Sequence, residues 1–232
     1  MMSGLLTNWS RSTPPVIAVI DDDETERFLL SDDLRKWGYQ SESFKGNYTD
    51  VKSLISEVRA KQSDFVICDN HLQQAGYARF FGAEAVVALI QSGIPSILVT
   101  QHQDSDVTRL KKWRPQLPVI LDKSNIDKRN VELAFDKCSA EVKGIVAPDR
   151  RPYRVLMEVD GLYETEVIAF VDAWRPRESV SFPLNLLGSL AGSIGEGTLL
   201  LAEVNIGATN RRELFFTKFE LAPEPDPDDG LS

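Results

Sequence analysis

The sequence predicts a doubly wound α/β unit followed by a small all-β, barrel-like unit. Three observations predict it. Short apolar runs alternate with amphipathic stretches from Val16 to about Val142, the pattern of a parallel sheet covered on both faces. The chain then switches to closely spaced strand-like segments separated by turn residues. Between the two lie Gly144, Pro148 and the charged run Asp149-Arg150-Arg151, a composition suited to a linker.

In chain order, the strands of the first unit are Val16–Ile20, Gln40–Phe44, Asp64–Cys68, Pro95–Thr100 and Leu117–Leu121. Several are rich in Val and Ile and are bounded by Pro, Asp or Gly, as buried strands should be. Helical spacing joins Leu30, Leu34 and Trp37, then Val51, Leu54, Ile55 and Val58, then Val86, Leu89 and Ile90. Val131, Ala134, Phe135, Cys138 and Val142 repeat it near the end of the unit. Asp23 and Glu26 stand three apart, as a capping start of the first helix. A further helix is expected around Asp104–Lys112, cut by Pro115.

The second unit is read as strands over Tyr153–Val159, Glu164–Ala173, Ser179–Pro183, Thr198–Ile206 and Glu213–Leu221. Asp160-Gly161 and Gly207-Ala208-Thr209-Asn210 supply turns. Leu200, Ala202, Val204 and Ile206 share one face at period two. Gly188, Gly192, Gly195 and Gly197 lack the Lys-Ser or Lys-Thr of a phosphate loop and read as tight turns. The organisation expected is an arm over 1–14, the α/β unit over 15–142, a linker over 143–152 and the β unit over 153–221. The acidic Pro-rich stretch 222–232 has no core-forming residues and reads as disordered.

Composition narrows the function. With 42% apolar and 26% charged residues, the chain has enough apolar surface to fold. No run reaches the roughly eighteen apolar residues of a membrane span, and Met1–Pro15 lacks the layout of a secretory signal. Cys68 and Cys138 sit in apolar segments, which suggests packed, reduced thiols and a cytoplasmic protein. Net charge is −9, and residues 1–149 carry 18 Lys/Arg against 21 Asp/Glu while 150–232 carry 8 against 14. Neither part has the basic excess of a phosphate-backbone binder, so nucleic acid is disfavoured as a partner.

Chemistry in a doubly wound sheet collects outside the carboxyl ends of the strands. The first strand there runs into Asp21-Asp22-Asp23, the third ends at Asp69, the fourth at Thr100, and the fifth leads through Asp122 to Lys123. Crowded carboxylates repel one another, and a hard divalent cation such as Mg2+ relieves the repulsion through oxygen ligands. A hydroxyl and an ammonium beside them suit the oxygens of a phosphoryl group carried by one carboxylate.

Asp21-Asp22, Asp69, Thr100 and Lys123, in that order at βα intervals over residues 15–142, resemble the receiver domain of two-component response regulators. The resemblance implies a flavodoxin-like (βα)5 fold and a phosphoacceptor role for Asp69, with a histidine kinase or phosphotransfer protein as donor. It implies Mg2+ held by Asp21, Asp22, Asp69 and the backbone carbonyl of His71. Thr100 and Lys123 would bind the phosphoryl group. His71 and His102, the chain's two histidines, fall two residues beyond Asp69 and Thr100, where side chains influence hydrolysis of the phosphoryl group. Gln101 is placed to narrow access to it. Ser124 and Ile120 depart from the family's usual proline and switch aromatic.

The output implied is a protein-interaction module or a downstream protein, since the β segments resemble no DNA-binding output. Val180–Leu184 loosely resembles small SH3-like domains. Dimerisation through the helix at Val131–Val142 stays open. No enzymatic activity is implied beyond accepting phosphate from a donor and autodephosphorylation. Two alternatives remain. One is a degenerate receiver working as a binding module. The other is a haloacid dehalogenase-like phosphohydrolase with Asp21 as nucleophile and Asp23 as general acid/base, which leaves Asp69 unexplained.

Overall fold

Strands buried on both faces have no polar side to show and so read as unbroken apolar runs. In the computed structural model, which describes residues 13–101 and 109–223, β1 (Val16–Ile20), β2 (Gln40–Ser43), β3 (Phe65–Asp69), β4 (Ser96–Thr100) and β5 (Ile120–Asp122) form one parallel sheet. Every position of β3 and β4 is buried, whereas the edge strand β2 is largely exposed. The strand order is β2-β1-β3-β4-β5, the flavodoxin-like arrangement with its switch point between β1 and β3. β5 is shorter than its apolar run predicts: Arg114–Gln116 forms a 3-10 turn and only Ile120–Asp122 joins the sheet.

The helices are α1 (Glu24–Lys36), α2 (Val51–Ala60), α3 (Gly82–Gln91) and α4 (Lys128–Val142). Aspartates cap three of them: Asp23, Asp50 and Asp127 accept hydrogen bonds from first-turn amides, worth about 1 kcal/mol each. On one face of the sheet, Ile17, Val19, Phe65, Ile67, Ile97 and Val99 meet Leu34 of α1 and Val131, Phe135 and Cys138 of α4. Phe135 is fully buried with its ring 4.4 Å from that of Phe65. Helices α2 and α3 pack on each other and bury Leu54, Val58, Val86 and Leu89.

The second unit is a five-stranded antiparallel sheet ordered β10-β9-β6-β7-β8. Its strands are β6 (Tyr153–Leu162), β7 (Glu166–Phe170), β8 (Ser179–Pro183), β9 (Leu199–Val204) and β10 (Phe216–Leu221). Inward positions alternate as the period-two reading requires: Val155, Met157 and Val159 on β6 and Leu200, Ala202 and Val204 on β9 are buried. The sheet coils until its two end strands share one aromatic core, with Phe182 of β8 5.0 Å from both Phe216 and Phe219 of β10. Asp160-Gly161 is not a turn. Both residues lie inside β6, at a register shift against β7 between Val159 and Gly161, so the extra residue bends the strand instead of ending it. Gly188 (φ 56) sits within 3-10 turns over Leu184–Gly192, in line with the tight-turn reading.

Grouping by contact assigns described residues 13–101 and 116–147 to the first unit and 109–115 and 148–223 to the second. The segment 109–115 therefore belongs structurally to the β unit, although it precedes β5 in the chain. Within 143–152, Pro148–Arg150 makes a 3-10 turn and Arg150 is buried. Asn205 ties this turn to the sheet: its amide donates to the carbonyls of Asp149 and Glu213, and its side-chain oxygen accepts from the Phe215 amide. Residues 1–12 of the arm, most of the stretch expected as the fourth helix, and tail residues 224–232 lie outside the described residues. Among the described residues no helix is long and apolar enough to cross a membrane.

Candidate functional site

Because β1 and β3 are neighbours in register, with Ile20 opposite Cys68, the next residue of each strand, Asp21 and Asp69, stand side by side at the carboxyl edge. Both are 5% exposed. Lys123 follows β5, two strands from β3, a separation of about 10 Å. Its stem reaches back across the end of β4, placing Nζ 2.8 Å from Asp21 Oδ2 and 3.1 Å from Asp69 Oδ1. Asp21, Asp22 and Asp69 each offer a carboxylate oxygen, all within 4.8 Å of one another.

The main chain holds these carboxylates in place. Asp69 Oδ2 accepts the His71 amide at 2.9 Å, Asp21 Oδ1 accepts the Asp23 amide at 2.9 Å, and Asp22 Oδ2 accepts the Gln74 amide at 2.7 Å. The last bond anchors the loop after β3, where Ala75 takes a left-handed conformation (φ 51). Around the three acids lies an open cleft of about 610 Å3, lined also by Asp23, Glu26, His71, Gln73, Gln74, Gln101 and Lys123.

Burial raises the Asp69 carboxyl to about 6, with Lys123 pulling it down and Asp21 pushing it up. Burial opposes the charge on Lys123, but its hydrogen bond to Asp21 and the charges of Asp69 and Asp21 outweigh that and hold the ammonium above its ordinary range. One lysine thus serves two buried acids, and Asp22 brings a third. The donor set is all oxygen and in excess of its counter-charge, which fits Mg2+.

The structure brings together the sequence-predicted Asp21, Asp22, Asp69, Lys123, His71 and Gln101. Thr100 ends β4, fully buried and opposite Asp122 of β5, and is not among the residues that line the cleft. His102 lies outside the described residues. Asp23, the general acid/base of the phosphohydrolase reading, spends Oδ1 on the amides of Thr25 and Glu26 at 2.7 and 3.1 Å.

Sequence reasoning missed three supporting residues. Arg27, buried on α1, donates to the Asp21 carbonyl and lies over the Tyr77 ring at 5.4 Å. Asn70 satisfies the start of α3: its carbonyl accepts the Gly82 amide at 2.9 Å and its side chain the Ala83 amide at 3.3 Å. Gly82 permits this approach, since a Cβ there would fall 1.8 Å from the Asp69 carbonyl oxygen. The one trace in the sequence is Gly82-Ala83-Glu84, which reads as a helix start.

No family model and no curated protein matches the chain. Solved structures similar to it include the signal receiver domain of a modulated diguanylate cyclase from Desulfovibrio desulfuricans G20, at 18% identity and TM-score 0.44, covering 56% of this chain and 97% of that one. A response regulator receiver domain protein from Clostridium thermocellum is 18% identical with TM-score 0.43, over 57% and 99%. The receiver domain of NtrX from Brucella abortus is 15% identical with TM-score 0.42, over 53% and 97%. Each of these three matches covers little more than half of this chain.

Proposed function

We propose that the chain is a response regulator that accepts a phosphoryl group on Asp69 from a histidine kinase or phosphotransfer protein. The observation that carries this reading is the Asp21–Lys123–Asp69 arrangement, in which one ammonium bridges two buried carboxylates at 2.8 and 3.1 Å beside the third acid, Asp22. A carboxylate oxygen of Asp69 forms the new O–P bond as the donor's bond to phosphorus breaks. The His71 amide and Lys123 hold that carboxylate in one orientation, so little reorganisation is needed on attack.

Asp21, Asp22, Asp69 and the main-chain carbonyl of His71 would hold Mg2+, which supplies positive charge to the phosphoryl oxygens when bound. Lys123, no longer pairing with a free Asp69 carboxylate, is left to neutralise the phosphoryl group. Thr100 supplies a hydroxyl to the phosphoryl group, and His71 and Gln101 set how easily water enters. The β unit then acts as a protein-interaction output, with nucleic acid disfavoured by its acidic balance.

Labelling with acetyl phosphate and Mg2+, read by intact mass in wild type and Asp69→Asn, tests the reading. A Mg2+-dependent phosphoryl adduct lost in Asp69→Asn is expected. No adduct on wild type under saturating donor would refute it.

A further inference from the structure

The second unit contains a segment that its own sheet does not supply. Residues 109–115 cluster with it, and Arg109–Lys111 is helical. Leu110 is 6% exposed and Lys111 5%. The Lys111 ammonium donates to the main-chain carbonyl of Ser181 on β8 and lies 5.8 Å from the ring centre of Phe216 on β10. Strands β8 and β10 are the two ends of the strand order and share no ladder. Lys111 therefore sits in the seam the coiled sheet leaves open.

The other end of the segment is fastened as well. Buried Arg150 donates to the carbonyls of Arg114 and Pro115 at 3.3 and 3.1 Å, with its guanidinium 5.5 Å from the Phe215 ring. Asn205 in turn bonds the main chain of Asp149, next to Arg150, and of Phe215. Burying an ammonium is costly unless it is well paired. A solvated helix would face Lys111 outward, as it does the exposed neighbour Lys112.

We infer that 109–115 is a strap forming the resident ligand of the β unit, held in the β8/β10 seam by Lys111 and Arg150, and that the β unit reads the state of Asp69 through the seating of this strap. The second half rests on the receiver reading. Thr100 and Gln101, at the end of β4 and the rim of the cleft, enter the strap through only seven intervening residues. The strap is thus a covalent link between the phosphoacceptor edge and the β unit's core, separate from the linker over 143–152. The ligand class of the seam follows from its chemistry: a helical turn that offers one lysine to a strand carbonyl and an aromatic face.

Peptide-resolved hydrogen exchange on the full chain tests the inference. Lys111→Ala and Arg150→Ala remove the two anchors independently, and Lys112→Ala is the control. In each anchor variant, exchange should quicken at least about tenfold over 109–115, Ser179–Pro183 and Phe216–Leu221. Exchange over Val16–Ile20 and Phe65–Asp69 should stay as in wild type, and Lys112→Ala should change nothing. Wild-type protection of strap and seam in both anchor variants overturns the strap. Equal loosening of both units overturns it too, because the anchors would then be general stabilisers.

The second arm adds acetyl phosphate and Mg2+ to wild type and Asp69→Asn, reading intact mass in the same samples. Altered protection of strap and seam in the phosphorylated wild type alone is the expected result. A phosphoryl adduct with unaltered protection overturns the coupling and leaves the receiver reading standing. No adduct overturns the receiver reading and the coupling with it, while the strap itself stands or falls on the anchor variants.

Discussion

Replacing Asp69 with Asn should stabilise the protein, and the gain should fade in acid. Asp69 is 5% exposed, and burial, opposed by Lys123 and reinforced by Asp21, holds its carboxyl at about 6 against an ordinary 3.8. The folded state therefore keeps this proton more tightly than the unfolded chain does. Its contribution to stability is fully present below about pH 4 and is lost as pH rises through about 6. A gap of about two pH units corresponds to about 3 kcal/mol. Asn preserves the shape without the ionisable proton, so its advantage should be about 3 kcal/mol near pH 8, about half that near pH 5, and under about 1 kcal/mol near pH 4. Losing the 3.1 Å pair with Lys123 trims the gain, but Lys123 keeps Asp21 at 2.8 Å.

The assay can be confined to the first unit, because the chain's two cysteines, Cys68 on β3 and Cys138 on α4, are both fully buried there. Urea titrations in EDTA, each point given a brief pulse of a thiol-reactive disulfide that works in acid, report unfolding of that unit by mass. An Asn variant no more stable than wild type near pH 8, or an advantage equal at both ends of the pH range, refutes the reasoning.

Mg2+ should narrow this gap: at a hundred times its dissociation constant it stabilises wild type by about 2.7 kcal/mol, and Asp69→Asn by clearly less in the same titration. Lys123→Ala leaves Asp21 and Asp69 buried without their shared cation and should cost about 3–5 kcal/mol at neutral pH. The cost should shrink toward about pH 4 as protonation of Asp69, whose carboxyl is raised to about 6, removes its need for the lysine, which urea midpoints at the two pH values will show. Gly82→Ala forces a methyl onto the Asp69 carbonyl, so it should lower stability by more than about 2 kcal/mol and slow acetyl phosphate labelling. Asn205→Ala strips three bonds from main-chain groups, that of Phe215 buried and the others partly so, and should cost about 2–4 kcal/mol, seen as faster hydrogen exchange in the β unit.

The parallel sheet was legible because its central strands are buried on both faces and so stand out as apolar runs between helical periodicities. Asp21, Asp69 and Lys123 were legible for a related reason: strand ends in such a sheet converge, so polar residues just past each run are candidates for one cluster. Thr100 followed the same logic, yet it is fully buried and does not line the cleft. Asp160-Gly161 misled because a bulge and a turn draw on the same residues. Lys111 was hidden more deeply. A lysine on a short helix reads as a solvated charge, and its partner Ser181 lies 70 residues away, beyond any local pattern. Asn70, Arg27 and Gly82 act through main-chain contacts that periodicity does not record.

The strap's place in the chain also sets an order of events during synthesis. The α/β unit has all its strands and helices once Val142 has been made, whereas the seam that receives Lys111 needs both β8 and β10, the last of which ends at Leu221. At about 5–20 residues per second the intervening stretch takes about 4 to 16 s to emerge. During that interval the nascent protein holds a finished Asp21–Lys123–Asp69 edge and an unseated strap with Leu110 and Lys111 uncovered. The cell thus meets the two units in succession, and the later one completes its core by capturing a segment translated before it.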